Sequence, residues 1–256
     1  MIALALASLC QTGFAQTSTF TTVSAGNWGP VVAPDSIAAG FGSSLSAQTY
    51  SALSVPLPST LGGVSIQLTD SAKATNPAGL FMASQGQVNY AIPAGAAVGM
   101  GTANAVSNGG SRTTGTVLIS NVAPALFAAN ENGQGVAAGQ IFYYPASGGS
   151  SYYYTFSGGS GGYVTSALSL SPSSGQAFLI LYGTGFRHHS PNPVEATIGG
   201  VKVPVTYAGA VSGYVGLDQI NLGPLPQSLA GTGKGDVNVA VFFDGVPANT
   251  VTVNFQ

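Results

Sequence analysis

Val237-Asn238-Val239-Ala240-Val241-Phe242-Phe243 runs into Asp244-Gly245 and is followed by Thr250-Val251-Thr252-Val253-Asn254-Phe255. In the first run Val237, Val239, Val241 and Phe243 point one way while Asn238 and Ala240 point the other. In the second, Val251, Val253 and Phe255 alternate with Thr250, Thr252 and Asn254. Alternation at period two sends one face of a strand into a core and the other toward solvent. Val64, Ile66 and Leu68, interleaved with Ser65 and Gln67, read the same way. No window of a dozen residues keeps apolar positions at helical spacing with good helix formers between them. Clusters of Gly, Pro and Asn separate the alternating runs at the interval expected of a β-sandwich. The chain is predicted to be all-β.

Working outward, the same signals occur twice in the same order. Gly40-Phe41-Gly42 is echoed by Leu181-Tyr182-Gly183, an aromatic-Gly step closing a strand. Gly62-Gly63-Val64-Ser65-Ile66 is echoed by Gly199-Gly200-Val201-Lys202-Val203, and Gln87-Val88-Asn89 by Gln219-Ile220-Asn221. Three motifs at nearly constant offset point to two copies of one domain. At 256 residues the chain has room for two domains of about 100 residues each. The expected layout is a leader at 1–15, an N-terminal arm at 16–30 and a first sandwich at 31–121. A crossover and Gly/Ser/Tyr-rich linker follows at 122–165, with Phe127 buried, and then a second sandwich at 166–256. The tract from Tyr143 to Tyr163 has the composition of a flexible loop, although its tyrosines are also compatible with an exposed hairpin.

Composition narrows the function. Charged residues make up 5% of the chain, against roughly 25% in ordinary soluble proteins. The hydrophobic content of 45% still supplies a core. Lys73, Arg112, Arg187, Lys202 and Lys234 are scattered singly, and the net charge is −2. Nucleic acid needs basic side chains clustered on one face, and anionic membrane needs a basic amphipathic stretch; both partners are set aside. Ile2 to Cys10 is almost wholly apolar and is followed by Gly13-Phe14-Ala15, which reads as a signal peptide cleaved before Gln16. No Lys or Arg precedes this run, as one would if translation began upstream of Met1. Nine residues do not cross a hydrocarbon core about 30 Å thick. Leu9 is not the small residue that lipidation at Cys10 wants. Without Cys10 the exported chain has no cysteine, hence no disulfide and no thiolate chemistry. An extracellular or cell-surface location is expected.

Taken together, Pro34 to Gly42, Leu57 to Val64, Gln87 to Pro93, Ala123 to Phe127, Tyr182 to Phe186, Tyr207 to Gly209, Gly216 to Asn221 and Gly245 to Asn249 resemble a known set. It is that of the uncharacterised Solibacter-type C-terminal domain of acidobacterial secreted proteins, itself similar to paired IPT/TIG immunoglobulin-like domains. The resemblance covers about Val31 to Gln256. It implies two tandem immunoglobulin-like (IPT/TIG-type) sandwiches and an extracytoplasmic setting, and it implies no activity.

Catalysis finds little support. Gly158-Gly159-Ser160-Gly161-Gly162 matches G-x-S-x-G, but that motif works on a strained strand-to-helix turn, and no helix follows it here. His188 and His189 are the only histidines; neighbours on a strand point to opposite faces, and a zinc site wants three or four ligands. The seven carboxylates form no paired signature for calcium or glycoside hydrolysis. Asp35 and Asp244 sit in turn contexts, where side-chain oxygens cap backbone N–H groups. No cofactor, metal or catalytic residue is expected.

Recognition is better supported. Tyr152, Tyr153 and Tyr154, with Tyr143, Tyr144 and Tyr163, offer large contact area at low entropic cost, or else pack as a hairpin on the second domain. Gln87 and Asn89, and Gln219 and Asn221, lie two apart, so each pair shares a strand face. They either close hydrogen bonds to a neighbouring loop, the favoured reading, or read sugar hydroxyls. Trp28, the single tryptophan, is expected to pack rather than bind. The preferred expectation is a non-catalytic binding or adhesion module for a polysaccharide or protein. The alternative is a structural spacer or self-associating surface component.

Overall fold

The computed structural model describes residues 19–107, 109–170, 175–230 and 235–256. The expected leader and Cys10 lie outside the described residues. The fold is all-β, two immunoglobulin-like sandwiches in tandem; among the described residues there is no α-helix, only a single 3-10 turn at Gln227–Leu229.

The first sandwich uses β1 (Thr21–Ser24), β2 (Val31–Val32), β3 (Ile37–Phe41), β4 (Tyr50–Ser51), β5 (Thr60–Leu61) and β6 (Val64–Thr69). It continues with β7 (Thr75–Pro77), β8 (Leu80–Ala83), β9 (Gln87–Ala91), β10 (Gly99–Val106) and β11 (Arg112–Ile119). One sheet runs β1-β3-β9-β8-β4, the other β2-β11-β10-β6-β5 with β7 beside β6. Their inner faces close over Val64, Ile66, Leu68, Val88 and Tyr90, all fully buried. Tyr90 keeps its phenol satisfied through a 2.7 Å hydrogen bond with Thr22 Oγ1, and burial pushes its pKa upward.

The second sandwich begins early in the chain. It comprises β12 (Ala125–Leu126), β13 (Gly135–Val136), β14 (Gly139–Pro145), β15 (Ser151–Tyr154), β16 (Phe156–Gly159), β17 (Gly162–Thr165) and β18 (Ala167–Leu168). Next come β19 (Gly175–Thr184), β20 (Glu195–Ile198), β21 (Val201–Lys202), β22 (Val205–Ala210) and β23 (Asp218–Leu222). The series ends with β24 (Val237–Phe243), β25 (Val246–Pro247) and β26 (Val251–Phe255). One sheet runs β15-β14-β19-β23-β22 and the other β13-β26-β24-β20-β21, with β16-β17 a separate hairpin. The alternating stretches that predicted the fold are β24 and β26. Their Val239, Val241, Phe243, Val251, Val253 and Phe255 fill this core, where Phe186 stacks on Phe243 at 4.5 Å.

The paired motifs occupy matching places. Phe41 faces Gln87 across β3 and β9, as Tyr182 faces Gln219 across β19 and β23. Gly62-Gly63 and Gly199-Gly200 each take two consecutive positive φ values, 56° and 79° in one and 56° and 81° in the other. Two left-handed residues in succession make the primed hairpin turn whose twist suits antiparallel strands, a conformation glycine adopts without steric cost.

Two stretches behave differently from the sequence reading. Residues 16–30, expected as an arm, supply β1, which pairs with β3, and Phe20, which is buried in the first core. Residues 122–165, expected as crossover and linker, supply six strands of the second half. The loop reading of the Gly/Ser/Tyr tract fails and its hairpin alternative holds, because β14 alternates inward Ile141 with outward Gln140 and Phe142 and pairs with β15, and the main-chain bonds of a sheet need no particular side chain. In the crossover Leu126 takes the fully buried position, while Phe127, expected to be buried, is only partly so.

Candidate functional site

The hairpin of β14 and β15 sets side chains in register across the edge of the second sandwich. Phe142 lies opposite Tyr152, Gln140 opposite Tyr154 and Ile141 opposite Tyr153. Because side chains alternate, Gln140, Phe142 and Tyr144 face outward while Ile141 and Tyr143 turn toward the core. On β19, Gln176 faces Tyr144, Phe178 faces Phe142 and Ile180 faces Gln140. Asn221 then faces Ile180, and Gln219 faces Tyr182. The outer face of this sheet is thus a grid of aromatic rings and amides across four strands.

The rings touch in series. Tyr144 meets Phe178 edge-on at 5.9 Å and lies near-parallel to Phe142 at 6.3 Å; Phe142 lies near-parallel to Tyr152 at 5.7 Å. Tyr152 meets Tyr154 at 6.1 Å, Tyr154 meets Phe156 at 5.5 Å and Phe156 meets Tyr163 at 5.0 Å. Tyr144, Tyr152 and Tyr154 are 47%, 55% and 57% exposed, so half of each ring is in water although every ring has an aromatic neighbour. None of the grid's outward side chains is charged. The phenol of Tyr182 accepts from Gln140 Nε2 at 3.0 Å, and burial raises its pKa despite that bond, so it stays neutral.

The structure separates residues that the sequence reading grouped. Tyr152 and Tyr154 share the grid with Gln219 and Asn221, whereas Tyr153 turns to the other side of the hairpin. There it joins Ile141, Tyr143 and Leu168 around a groove of about 580 Å³, whose rim Tyr152 and Tyr154 also reach. Gln87 and Asn89 lie elsewhere, on the outer face of the first sandwich, in a cleft of about 530 Å³ between the two halves. Among the described residues these amides do not make the bonds to a neighbouring loop that were expected of them. Gln87 Nε2 instead donates to Asn89 Oδ1 at 2.8 Å, and Gln219 Nε2 to Asn221 Oδ1 at 2.7 Å. Each pair therefore locks itself along its strand, with the remaining amide atoms toward solvent.

The cleft is walled by Trp28 on one side and by Phe127, Phe156 and Tyr163 on the other. Trp28 packs at 6.0 Å from Phe41, and its indole N–H donates to the Glu131 carbonyl at 3.2 Å. Asn130 holds the β16–β17 hairpin by accepting from Tyr163 N at 2.7 Å and donating to its carbonyl at 2.8 Å. Further bonds join the halves. Ile37 N donates to Thr184 Oγ1 at 2.8 Å, and His188 Nε2 pairs with Asp35 Oδ2 at 2.8 Å. A side chain at Gly216 would collide with Ile37, so the close approach of the halves needs glycine there.

The remaining candidates serve structure. His189 Nδ1 bonds the Ser190 carbonyl at 2.6 Å. Asp244 accepts from Ser190 N at 2.8 Å and from the Ser190 hydroxyl, which hold its pKa down. Ser160 lies in the exposed turn of the β16–β17 hairpin. Phe142, Phe178, Gln140 and Gln176 were missed as site residues. Their signal is the period-two pattern Gln140-x-Phe142-x-Tyr144 and Gln176-x-Phe178, visible once Ile141 and Ala177 are known to face inward.

These features define an all-β, two-sandwich protein with an uncharged aromatic and amide face and an aromatic cleft between its halves. No family model matches the chain, and no curated protein matches it. Solved structures that it resembles include the following three. Bacteroides ovatus mixed-linkage glucan utilization locus SGBP-B, in complex with a mixed-linkage heptasaccharide, is 12% identical with a TM-score of 0.33, over 89% of this chain and 43% of that one. The plexin A4 extracellular region is 8% identical with a TM-score of 0.26, over 94% and 19%. Murine CEACAM1b is 10% identical with a TM-score of 0.19, over 93% and 100%. The chain spans less than half the length of the first two. Among the described residues no helix is long and apolar enough to cross a membrane.

Proposed function

We propose that this chain is a non-catalytic binding module, exported through the leader at 1–15 to the cell surface or beyond, that takes a neutral polysaccharide on the outer face of its second sandwich. The observation that carries this reading is the uncharged grid around Tyr152, Phe142 and Tyr144, with Gln219 and Asn221 beside it. Aromatic rings present apolar area that suits the C–H faces of pyranose rings, and amides both donate and accept, as hydroxyls do. An ionic glycan would find no counter-charge there. The non-catalytic part is supported by the structural engagement of both histidines and by the turn position of Ser160. The ordered motifs from Pro34 to Asn249 support placing the chain with the Solibacter-type domains.

The test is an equilibrium binding screen of the purified protein against neutral and acidic polysaccharides. Tyr152→Ser with Tyr154→Ser is expected to weaken neutral-glycan binding at least tenfold, while Tyr153→Ser, on the other side of the hairpin, leaves it unchanged. Equal loss in both variants, or none in the double one, would reject the face as the site. The outer edge of β15 has no strand partner among the described residues, which favours self-association as a second reading. Concentration-dependent assembly in sedimentation, abolished by the same double substitution, would support it.

A further inference from the structure

We propose that the cleft between the sandwiches is a second subsite for the same ligand, so that one neutral glycan chain runs from the aromatic face into the cleft and contacts both halves. This rests on the reading of the face as a glycan site.

Four observations converge on the cleft. The ring series does not stop at the sheet: from Tyr154 it continues, at 5.5 and 5.0 Å, to Phe156 and Tyr163, which both line the cleft. On the opposite wall Trp28 is 40% exposed although anchored by its indole N–H. On the floor, the bond within the Gln87 and Asn89 pair uses one donor and one acceptor. Gln87 Oε1 and Asn89 Nδ2 have no bond to any described residue. An acceptor beside a donor, two residues apart on one strand, suits adjacent hydroxyls, each of which also donates and accepts. The volume of about 530 Å³ lies within the roughly 300–1,000 Å³ of small-ligand sites.

The alternative occupant, an extended peptide, is disfavoured by the topology. Peptides add to sheets at a free edge, and β9 lies between β3 and β8 with its main chain paired on both sides. Among the described residues Glu131 is the one charged residue lining the cleft, and its carboxylate opposes an acidic ligand.

Trp28 is the only tryptophan in the chain, so its emission reports cleft occupancy directly. Two-unit and six-unit β-1,4-linked oligomers of glucose, mannose and xylose would be titrated into the full protein by calorimetry and by tryptophan fluorescence. At least one hexamer is expected to bind at least tenfold tighter than its dimer and to shift the Trp28 emission. Asn89→Asp, isosteric and able to keep the bond from Gln87, is expected to weaken the hexamer at least fivefold; Asn89→Ala is the second variant. Hexamer binding without an emission change, or with full strength in both Asn89 variants, would overturn the cleft proposal and leave the face reading standing. No heat with any oligomer would reject the face reading as well.

Discussion

Phe20 is the residue whose loss most directly tests how the first sandwich, and with it one wall of the cleft, is held. Its ring is 1% exposed and lies against Gly40, where a side chain would collide with it. The bare backbone at Gly40 cannot refill the space if the ring is removed. A buried phenyl side chain of about 150 Å², at about 25 cal/mol per Å², contributes on the order of 4 kcal/mol. That agrees with the roughly 3–5 kcal/mol measured for Phe→Ala in protein cores. It is a large part of the roughly 5–15 kcal/mol that holds a domain. Urea unfolding followed by Trp28 emission is the assay, because Trp28 sits between β1 and β2 and reports on the first sandwich. Phe20→Ala is expected to lower that unfolding free energy by about 3–5 kcal/mol, while Thr21→Ala, whose side chain is exposed, changes it by less than about 0.5 kcal/mol. Since β1 leads directly into the Trp28 turn, hexasaccharide binding should weaken in parallel. A loss below about 1 kcal/mol would refute the placement of Phe20 in the core and return residues 16–30 to the status of an arm.

Two further substitutions probe the carboxylates. Asp218 is fully buried, pairs with Arg187 Nε at 2.6 Å and accepts from Phe186 N at 2.8 Å; burial nonetheless raises its pKa, against the pull of these bonds. Asp218→Ala leaves the guanidinium without its carboxylate, holding only the Leu217 carbonyl at 2.9 Å, and thermal unfolding should show the second sandwich losing about 3–5 kcal/mol; an unchanged melt would mean that water replaces the pair without cost. Asp70 accepts from Ala97 N at 2.9 Å and Ala74 N at 3.0 Å, and the Ala97 bond is the main cause of its lowered pKa. With the folded value below the ordinary 3.8, its contribution is complete above that pH and is lost as pH falls through the lower value. Asp70→Asn should therefore flatten the acid-side decline of the first sandwich's urea midpoint; an identical decline in both proteins would assign that pH dependence elsewhere.

The sequence by itself determined the class of fold and the chemistry available. Alternation in Val237 to Phe243 and Val251 to Phe255 required half-buried strands, because period two leaves no helical face. The paired Gly-Gly motifs announced hairpin turns through a conformation that glycine adopts most readily. The scarcity of charge in the sequence carried through to the aromatic face. What only the tertiary structure decided was which side chains meet. Tyr152, Tyr153 and Tyr154 are identical in composition, yet pairing of β15 with β14 sends two to the grid and one to the opposite side, since register is set by a partner strand that local sequence does not specify. Gln87 with Asn89 and Gln219 with Asn221 form the same bond within their strands, but the docking of the halves leaves one pair in a cleft and the other on an open face. That difference comes from contacts between residues more than a hundred positions apart, such as Ile37 with Thr184 and Trp28 with Glu131. Packing of the complete chain creates those contacts, and no local pattern announces them.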